Sequence, residues 1–106
     1  MKDYIVFSVK SILNQDDVFE IMQNNLSDFL WRRGDSDAQG FYVSGERADG
    51  VYLKAWISET PFTLTLSFNE LFTKMPTQQA SKKILFDRIS KSVLPNLGQL
   101  LNFRES

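Results

Sequence analysis

Five stretches of the chain have the composition of strands, and in the two longest of them hydrophobic and polar residues alternate, which is the period of strands that bury one face. These stretches are Tyr4–Lys10, Phe29–Arg33, Phe41–Gly45, Val51–Ser58 and Phe62–Asn69. The last four are separated by short, turn-like segments at Gly34–Gly40, Glu46–Gly50 and Glu59–Pro61. Connections this short join antiparallel neighbours, so the pattern predicts a β-meander.

After Asn14 the apolar residues recur at helical spacing instead. Asparagine commonly caps helix N-termini. Val18, Met22 and Leu26 recur at the spacing of one buried helix face. A carboxylate at position 28 would be unfavourable at a helix C-terminus. We therefore expect a first helix that ends near residues 25–27.

The sequence of the C-terminal third predicts a second helix over residues 77–93, which ends before Pro95. Residues 95–101 are expected to restart as a short helix. The side chains that this short helix should bury are Leu97, Leu100 and Leu101. The predicted fold is α+β: a single domain over residues 1–106, with an antiparallel meander of four to five strands and two main helices on one face, in the order β-α-β-β-β-β-α.

Composition narrows the chemistry that the chain can perform. The 106 residues include no cysteine and no histidine, which excludes disulfides, thiolate nucleophiles and an imidazole base. We therefore predict a protein that is not an enzyme and needs no cofactor. There is no apolar run of the roughly 18–20 residues that span a bilayer. Met1–Tyr4 lacks the layout of a signal peptide, so a cytoplasmic location is expected.

Charge is unevenly distributed along the chain. Residues 1–50 contain nine acidic and five basic residues, a sum of −4, and residues 51–106 contain four acidic and seven basic residues, a sum of +3. The net charge of −1 gives no positive field for nucleic-acid binding. Basic residues cluster on the second predicted helix, and its lysines are expected to form a solvated face; the cluster comprises Lys82, Lys83, Arg88 and Lys91.

The segment from Arg33 to Glu46 matches two short motifs. Residues 33–36 spell the adhesion tetrapeptide Arg-Gly-Asp-Ser, and five residues occupy positions 1, 3, 5, 6 and 12 of an EF-hand calcium loop: Asp35, Asp37, Gln39, Gly40 and Glu46. An intervening strand would place Glu46 roughly 20 Å from the turn at strand rise. We therefore predict a plain hairpin turn without a metal site, and keep weak calcium or magnesium binding through Asp35 and Asp37 as an alternative.

Acidic residues dominate the first predicted helix. Asp16, Asp17 and Glu20 lie in a segment that has no lysine or arginine between Asn14 and Leu30. Such a surface would suit a basic protein partner and would steer its association. The alternative is a solvated helix face with ordinary N-terminal capping acids.

A second candidate surface lies on the predicted sheet. Tyr42, Tyr52, Lys54 and Trp56 should line the face away from the helices. Exposed tyrosine and tryptophan commonly anchor protein interfaces. Two alternatives are that the rings pack on one another, and that they stack on RNA bases, which the charge balance disfavours.

In size, charge layout and strand meander, the chain resembles the small immunity proteins that bacteria encode beside secreted toxins. The resemblance extends over most of the chain and is carried by no motif. It implies a protein that binds a cognate toxin domain with a basic surface and blocks it without catalysis. The alternative function is a non-enzymatic subunit, or a homodimer that uses the open sheet face.

Overall fold

The computed structural model describes residues 4–105 of the chain. Residues 1–3, which entered the prediction of a cytoplasmic location, lie outside the described part, as does residue 106. The strands are β1 Tyr4–Lys10, β2 Leu30–Ser36, β3 Gly40–Glu46, β4 Val51–Trp56, β5 Phe62–Phe68 and β6 Gln99–Glu105. The helices are α1 Gln15–Asn25, α2 Glu70–Thr73, α3 Gln78–Arg88 and α4 Leu94–Leu97, and a π-helical turn, Ile89–Val93, joins the last two.

The six strands form one antiparallel sheet in the order β2-β3-β4-β5-β1-β6. Strands β2 to β5 are consecutive neighbours, so the predicted meander is confirmed. The first strand lies beside the last strand of the meander, and the C-terminal strand β6 then pairs with β1 and forms the far edge. The α+β fold class is confirmed, with six strands rather than four or five.

One face of the sheet carries the core. The alternating residues of β1, β4 and β5 that were predicted to be apolar and inward-facing are buried, including Phe7, Leu53 and Leu64. Val18 and Met22 of α1 pack against this face, as the helical spacing predicted. The buried apolar residues of α2, α3 and α4 belong to the same cluster. All four described helices therefore lie on one side of the sheet.

Boundaries of α1 follow from its capping groups. The Asn14 side chain accepts a hydrogen bond from the Asp17 backbone N–H at 2.9 Å, and the Asp17 carboxylate accepts one from the Asn14 N–H at 3.4 Å. This capping box satisfies two backbone donors that a helix start leaves without partners. At the other end the helix stops at Asn25, within the predicted range.

The prediction of a short helix over residues 95–101 is right for Leu97, which is buried in α4, and wrong beyond it. The helix passes through Pro95, which lies in the first turn of α4 where proline is tolerated, and ends at Leu97. Gly98 then adopts a φ of 155° and approaches the Lys10 carbonyl so closely that a Cβ would lie 2.1 Å from that oxygen. Residues 99–105 form a strand along β1, so Leu100 and Leu101 are exposed.

Two basic residues of α3 make contacts within the protein. Lys82 is 1% exposed, with its Nζ 5.0 Å from the ring centroid of Phe68. Arg88 forms an ion pair with Asp28, with its Nη2 2.8 Å from the carboxylate. The prediction of a solvated lysine face is therefore wrong for Lys82, whereas Lys83 and Lys91 are exposed as predicted. No helix in residues 4–105 has the length and apolar character needed to cross a membrane.

Candidate functional site

The side of the sheet opposite the helices, here called the outer face, is not covered by any helix of the described residues. Side chains on this face alternate with the core residues along β1, β4 and β5. The structure places Tyr42, Tyr52, Lys54 and Trp56 here, on the adjacent strands β3 and β4. The four side chains therefore share the surface that the alternation predicted.

Three of these side chains form a compact group, the Tyr42–Lys54–Trp56 cluster. Tyr42 and Trp56 are directly opposite each other on β3 and β4, and their rings meet edge to face with centroids 5.3 Å apart. The Lys54 Nζ lies 4.3 Å from the centroid of each ring. Cation–π attraction to two rings favours this position of the ammonium group. The rings thus pack on one another, yet all three side chains remain half-buried rather than enclosed.

Gly34 provides the space for this cluster. A Cβ at position 34 would lie 2.2 Å from Cζ of Tyr42, so the tyrosine ring covers the glycine on the neighbouring strand. Cross-strand aromatic coverage of this kind supports a glycine that would otherwise weaken a strand. From the helix side, the Gln15 Nε2 donates hydrogen bonds to the carbonyl oxygens of Gly34 at 2.8 Å and Tyr42 at 2.9 Å. Sequence reasoning missed Gly34, whose role depends on cross-strand register.

Tyr52 lies beside the cluster and is 39% exposed. It faces Glu46 on β3, whose carboxylate is 3.6 Å from the guanidinium of Arg32 on β2. On its other side, β5 contributes only small hydroxyl residues to the outer face. A groove of about 310 Å³ runs past Tyr52 to Asn69. The outer face thus combines exposed aromatic area with mixed charge.

The acidic residues of α1 lie on the helix side and cannot join the outer face in one continuous surface. Asp16 forms an ion pair with Arg33 of β2, with 2.6 Å between oxygen and nitrogen, and the same guanidinium lies 4.6 Å from the ring centroid of Phe19. Asp17 is engaged in the capping box, whereas Glu20 is exposed and has no ion pair within residues 4–105. The free negative charge of this helix is therefore smaller than its sequence suggests.

The two short motifs of the β2–β3 hairpin do not lie where a cell-adhesion site or a calcium site would need them. Arg33-Gly34-Asp35-Ser36 lies within β2 and not in a projecting loop. Ser36 pairs with Gly40 at the turn, whereas Glu46 pairs with Leu30 at the opposite end of the hairpin. The EF-hand spacing thus does not bring Glu46 to Asp35. Within residues 4–105, no three or more acidic, histidine or cysteine side chains are grouped to hold a metal ion.

A network of charged side chains joins three elements on the helix side of the sheet. Asp28, which follows α1, accepts hydrogen bonds from Arg88 of α3 at 2.8 and 3.0 Å and from Arg47 of the β3–β4 turn at 3.2 Å. The Arg88 hydrogen bonds hold the pKa of Asp28 at about 2, below its ordinary value of 3.8. Hydrogen bonds to Asp49 and then Asp28 raise the pKa of Arg47. Asp28 is therefore used internally and does not add to an acidic docking surface.

No protein-family model matches the chain, and no curated protein matches it.

Proposed function

We propose that this protein is a non-catalytic binding module that neutralises a cognate bacterial toxin in the cytoplasm by direct contact, as immunity proteins do. The contact surface is the outer face, centred on the Tyr42–Lys54–Trp56 cluster and Tyr52. A second and weaker candidate surface is the acidic N-terminal half of α1, with Asp16, Asp17 and Glu20. The partner in either case is a folded protein domain.

The observation that carries this proposal is the ordered aromatic cluster on a sheet face that no described helix covers. Interface energy concentrates in a few aromatic and cationic residues at the centre of a contact. Side chains already held in one arrangement lose less conformational entropy on binding than mobile ones do. Here the Tyr42 ring is held over Gly34 and against Trp56, with Lys54 between the rings. These contacts order the three side chains on the surface before a partner binds.

Charge distinguishes the two candidate surfaces. The outer face carries Arg32 and Lys54 beside Glu46, so it suits a partner surface that is neutral or mildly acidic. The α1 surface retains Glu20 as its exposed, unbridged acid and would suit a basic partner. Because Asp16 and Asp17 already have partners inside the protein, we favour the outer face as the main contact.

The test uses the protein encoded beside this chain in its native genome as the candidate toxin. Its expression in a bacterial host should inhibit growth, and co-expression of this chain should restore it. Isothermal titration calorimetry should then give a binding constant for the purified pair. Tyr52→Ala combined with Lys54→Glu should weaken binding at least 100-fold, since truncation of a central interface residue commonly costs about 2 kcal/mol or more.

Two comparison variants make this result specific. Ile84→Ala removes an exposed side chain of α3 on the helix side and should leave affinity unchanged. Asp17→Lys with Glu20→Lys reverses the α1 surface and should change affinity less than tenfold. Circular dichroism melts must show that all variants remain folded. Unchanged affinity in the Tyr52/Lys54 variant would refute the surface assignment, and toxicity unaffected by this chain would refute the function.

A further inference from the structure

We propose that the outer face binds an acidic protein surface through a row of cationic side chains that crosses the whole sheet. This partner chemistry rests on the proposed function, because it describes the surface of the toxin that the outer face would contact. It is opposite to the basic partner surface that the distribution of charge along the sequence suggested.

Strand register places these cations in one line. Directly opposite residues of antiparallel neighbours lie on the same face of a sheet, and one such row runs from β2 to β6. Its members are Arg32, Ser44, Lys54, Thr65, Val6 and Arg104. Because the core residues of β1 and β4 alternate with Val6 and Lys54, the row lies on the outer face.

The row is long enough to meet the surface of a folded domain. The strand order separates β2 from β6 by five strand spacings, which is roughly 24 Å at about 4.8 Å per spacing. Arg32 and Lys54 are two spacings apart, roughly 10 Å, and Lys54 and Arg104 are three spacings apart, roughly 14 Å. These separations exceed the Debye length of about 8 Å at physiological salt, so the three cations repel one another only weakly.

The cations of the row are accessible to a partner. The side chain of Arg32 is 68% exposed, and its ion pair with Glu46 has a separation of 3.6 Å. An exposed pair of this kind contributes about 1 kcal/mol at most, so a partner carboxylate can compete for the guanidinium. Arg104 is exposed, and Lys54 is half-buried against its two rings.

The outer face is positive although the chain as a whole is negative. On the described strands, this face carries four cations and one carboxylate; they are Lys10, Arg32, Lys54, Arg104 and Glu46. Their sum is +3, whereas the net charge of the chain is −1, so the other residues sum to −4. Glu105 lies opposite the buried Ile5 and therefore on the helix side. Glu59 borders a pocket with Lys10 and weakens the positive field only at that corner of the sheet.

The rings beside the row favour a protein partner over a single-stranded nucleic acid. Bases bind such sheets by stacking on exposed ring faces. Here the Lys54 Nζ lies over the rings of both Tyr42 and Trp56, 4.3 Å from each centroid, and so occupies one face of each ring. A carboxylate can approach this ammonium group and form a charge-assisted hydrogen bond without displacing it. Acidic side chains therefore fit the cluster better than bases do.

Association kinetics with the protein encoded beside this chain test the charge of the partner surface. Arg32→Glu with Arg104→Glu changes the outer face from +3 to −1. In stopped-flow mixing, this variant should associate at least about tenfold more slowly than wild type at about 50 mM salt, and less than about threefold more slowly at about 0.5 M salt. Lys83→Glu with Lys91→Glu makes the same change in net charge at exposed helix-side lysines and should slow association less than about threefold. Equal slowing by the two double variants, or faster association of the Arg32/Arg104 variant, would overturn the proposal.

A model ligand separates failure of this proposal from failure of the proposed function. Oligoglutamate of about 20 residues, titrated into ¹⁵N-labelled protein at about 50 mM salt, should shift the side-chain NMR signals of Arg32, Arg104 and the Trp56 indole. The indole signal of the buried Trp31 should not move. Absence of these shifts, or larger shifts with oligouridylate of the same length, would overturn the acidic-protein assignment even if the chain neutralises a toxin. A neighbouring protein that is not toxic would refute the proposed function, and the oligoglutamate titration would still decide what the outer face binds.

Discussion

Asp28→Asn removes the charge that links α1, the β3–β4 turn and α3, while it preserves the size of the side chain. Wild-type Asp28 accepts hydrogen bonds from two guanidinium groups. An asparagine has one carbonyl oxygen and two amide donors, so it cannot satisfy both Arg47 and Arg88. The variant should fold and be less stable at neutral pH.

The pKa of Asp28 gives the size of the effect. A fall from 3.8 to about 2 corresponds to about 2.4 kcal/mol at 1.36 kcal/mol per pKa unit. The Asp28 side chain is 39% exposed, so solvent screening reduces this value. We expect a loss of about 1–1.5 kcal/mol in the free energy of unfolding at pH 7.

The pH dependence separates this charge effect from loss of packing. Because folding lowers the pKa of Asp28, its stabilising contribution is complete above pH 3.8 and disappears as the pH falls toward 2. Urea unfolding followed by circular dichroism should therefore show Asp28→Asn less stable than wild type at pH 7 and nearly equal to it at pH 2. Asp16→Asn, in a more exposed ion pair, should lose less than about 0.5 kcal/mol at pH 7. An Asp28→Asn deficit that stays constant from pH 7 to pH 2 would refute the reasoning.

Two further predictions concern local geometry. Gly45→Ala places a Cβ 2.6 Å from the buried Trp31 ring, whose Nε1 donates a hydrogen bond to the Leu26 carbonyl at 2.8 Å. Urea unfolding should show that this overpacking lowers the free energy of unfolding by about 1–3 kcal/mol. Gly34→Ala should lower it less because the half-exposed Tyr42 ring can move, and equal losses in the two variants would contradict this prediction. Asn14→Ala removes the N-cap of α1 and should lower the free energy of unfolding by about 1 kcal/mol, as measured by thermal melts. Unchanged stability would show that the capping box contributes nothing.

Much of this fold could be predicted from the local pattern of hydrophobic and polar residues. Strands β1, β4 and β5 bury alternate residues, so their period of two was visible in the sequence, and α1 has both an N-cap and an apolar stripe. Strand β6 was missed because residues 99–105 show no alternation and are exposed on both faces. Its strand conformation depends on pairing with β1, from which it is separated by most of the chain.

The candidate site was predictable only to the level of a shared face. Alternation along β4 placed Tyr52, Lys54 and Trp56 together, but the contact between Tyr42 and Trp56 depends on the register of β3 against β4. Tertiary packing likewise determined the pairing of Asp16 with Arg33, because α1 and β2 are adjacent only in the folded chain. Such long-range contacts have no signal in the spacing of residues along the sequence.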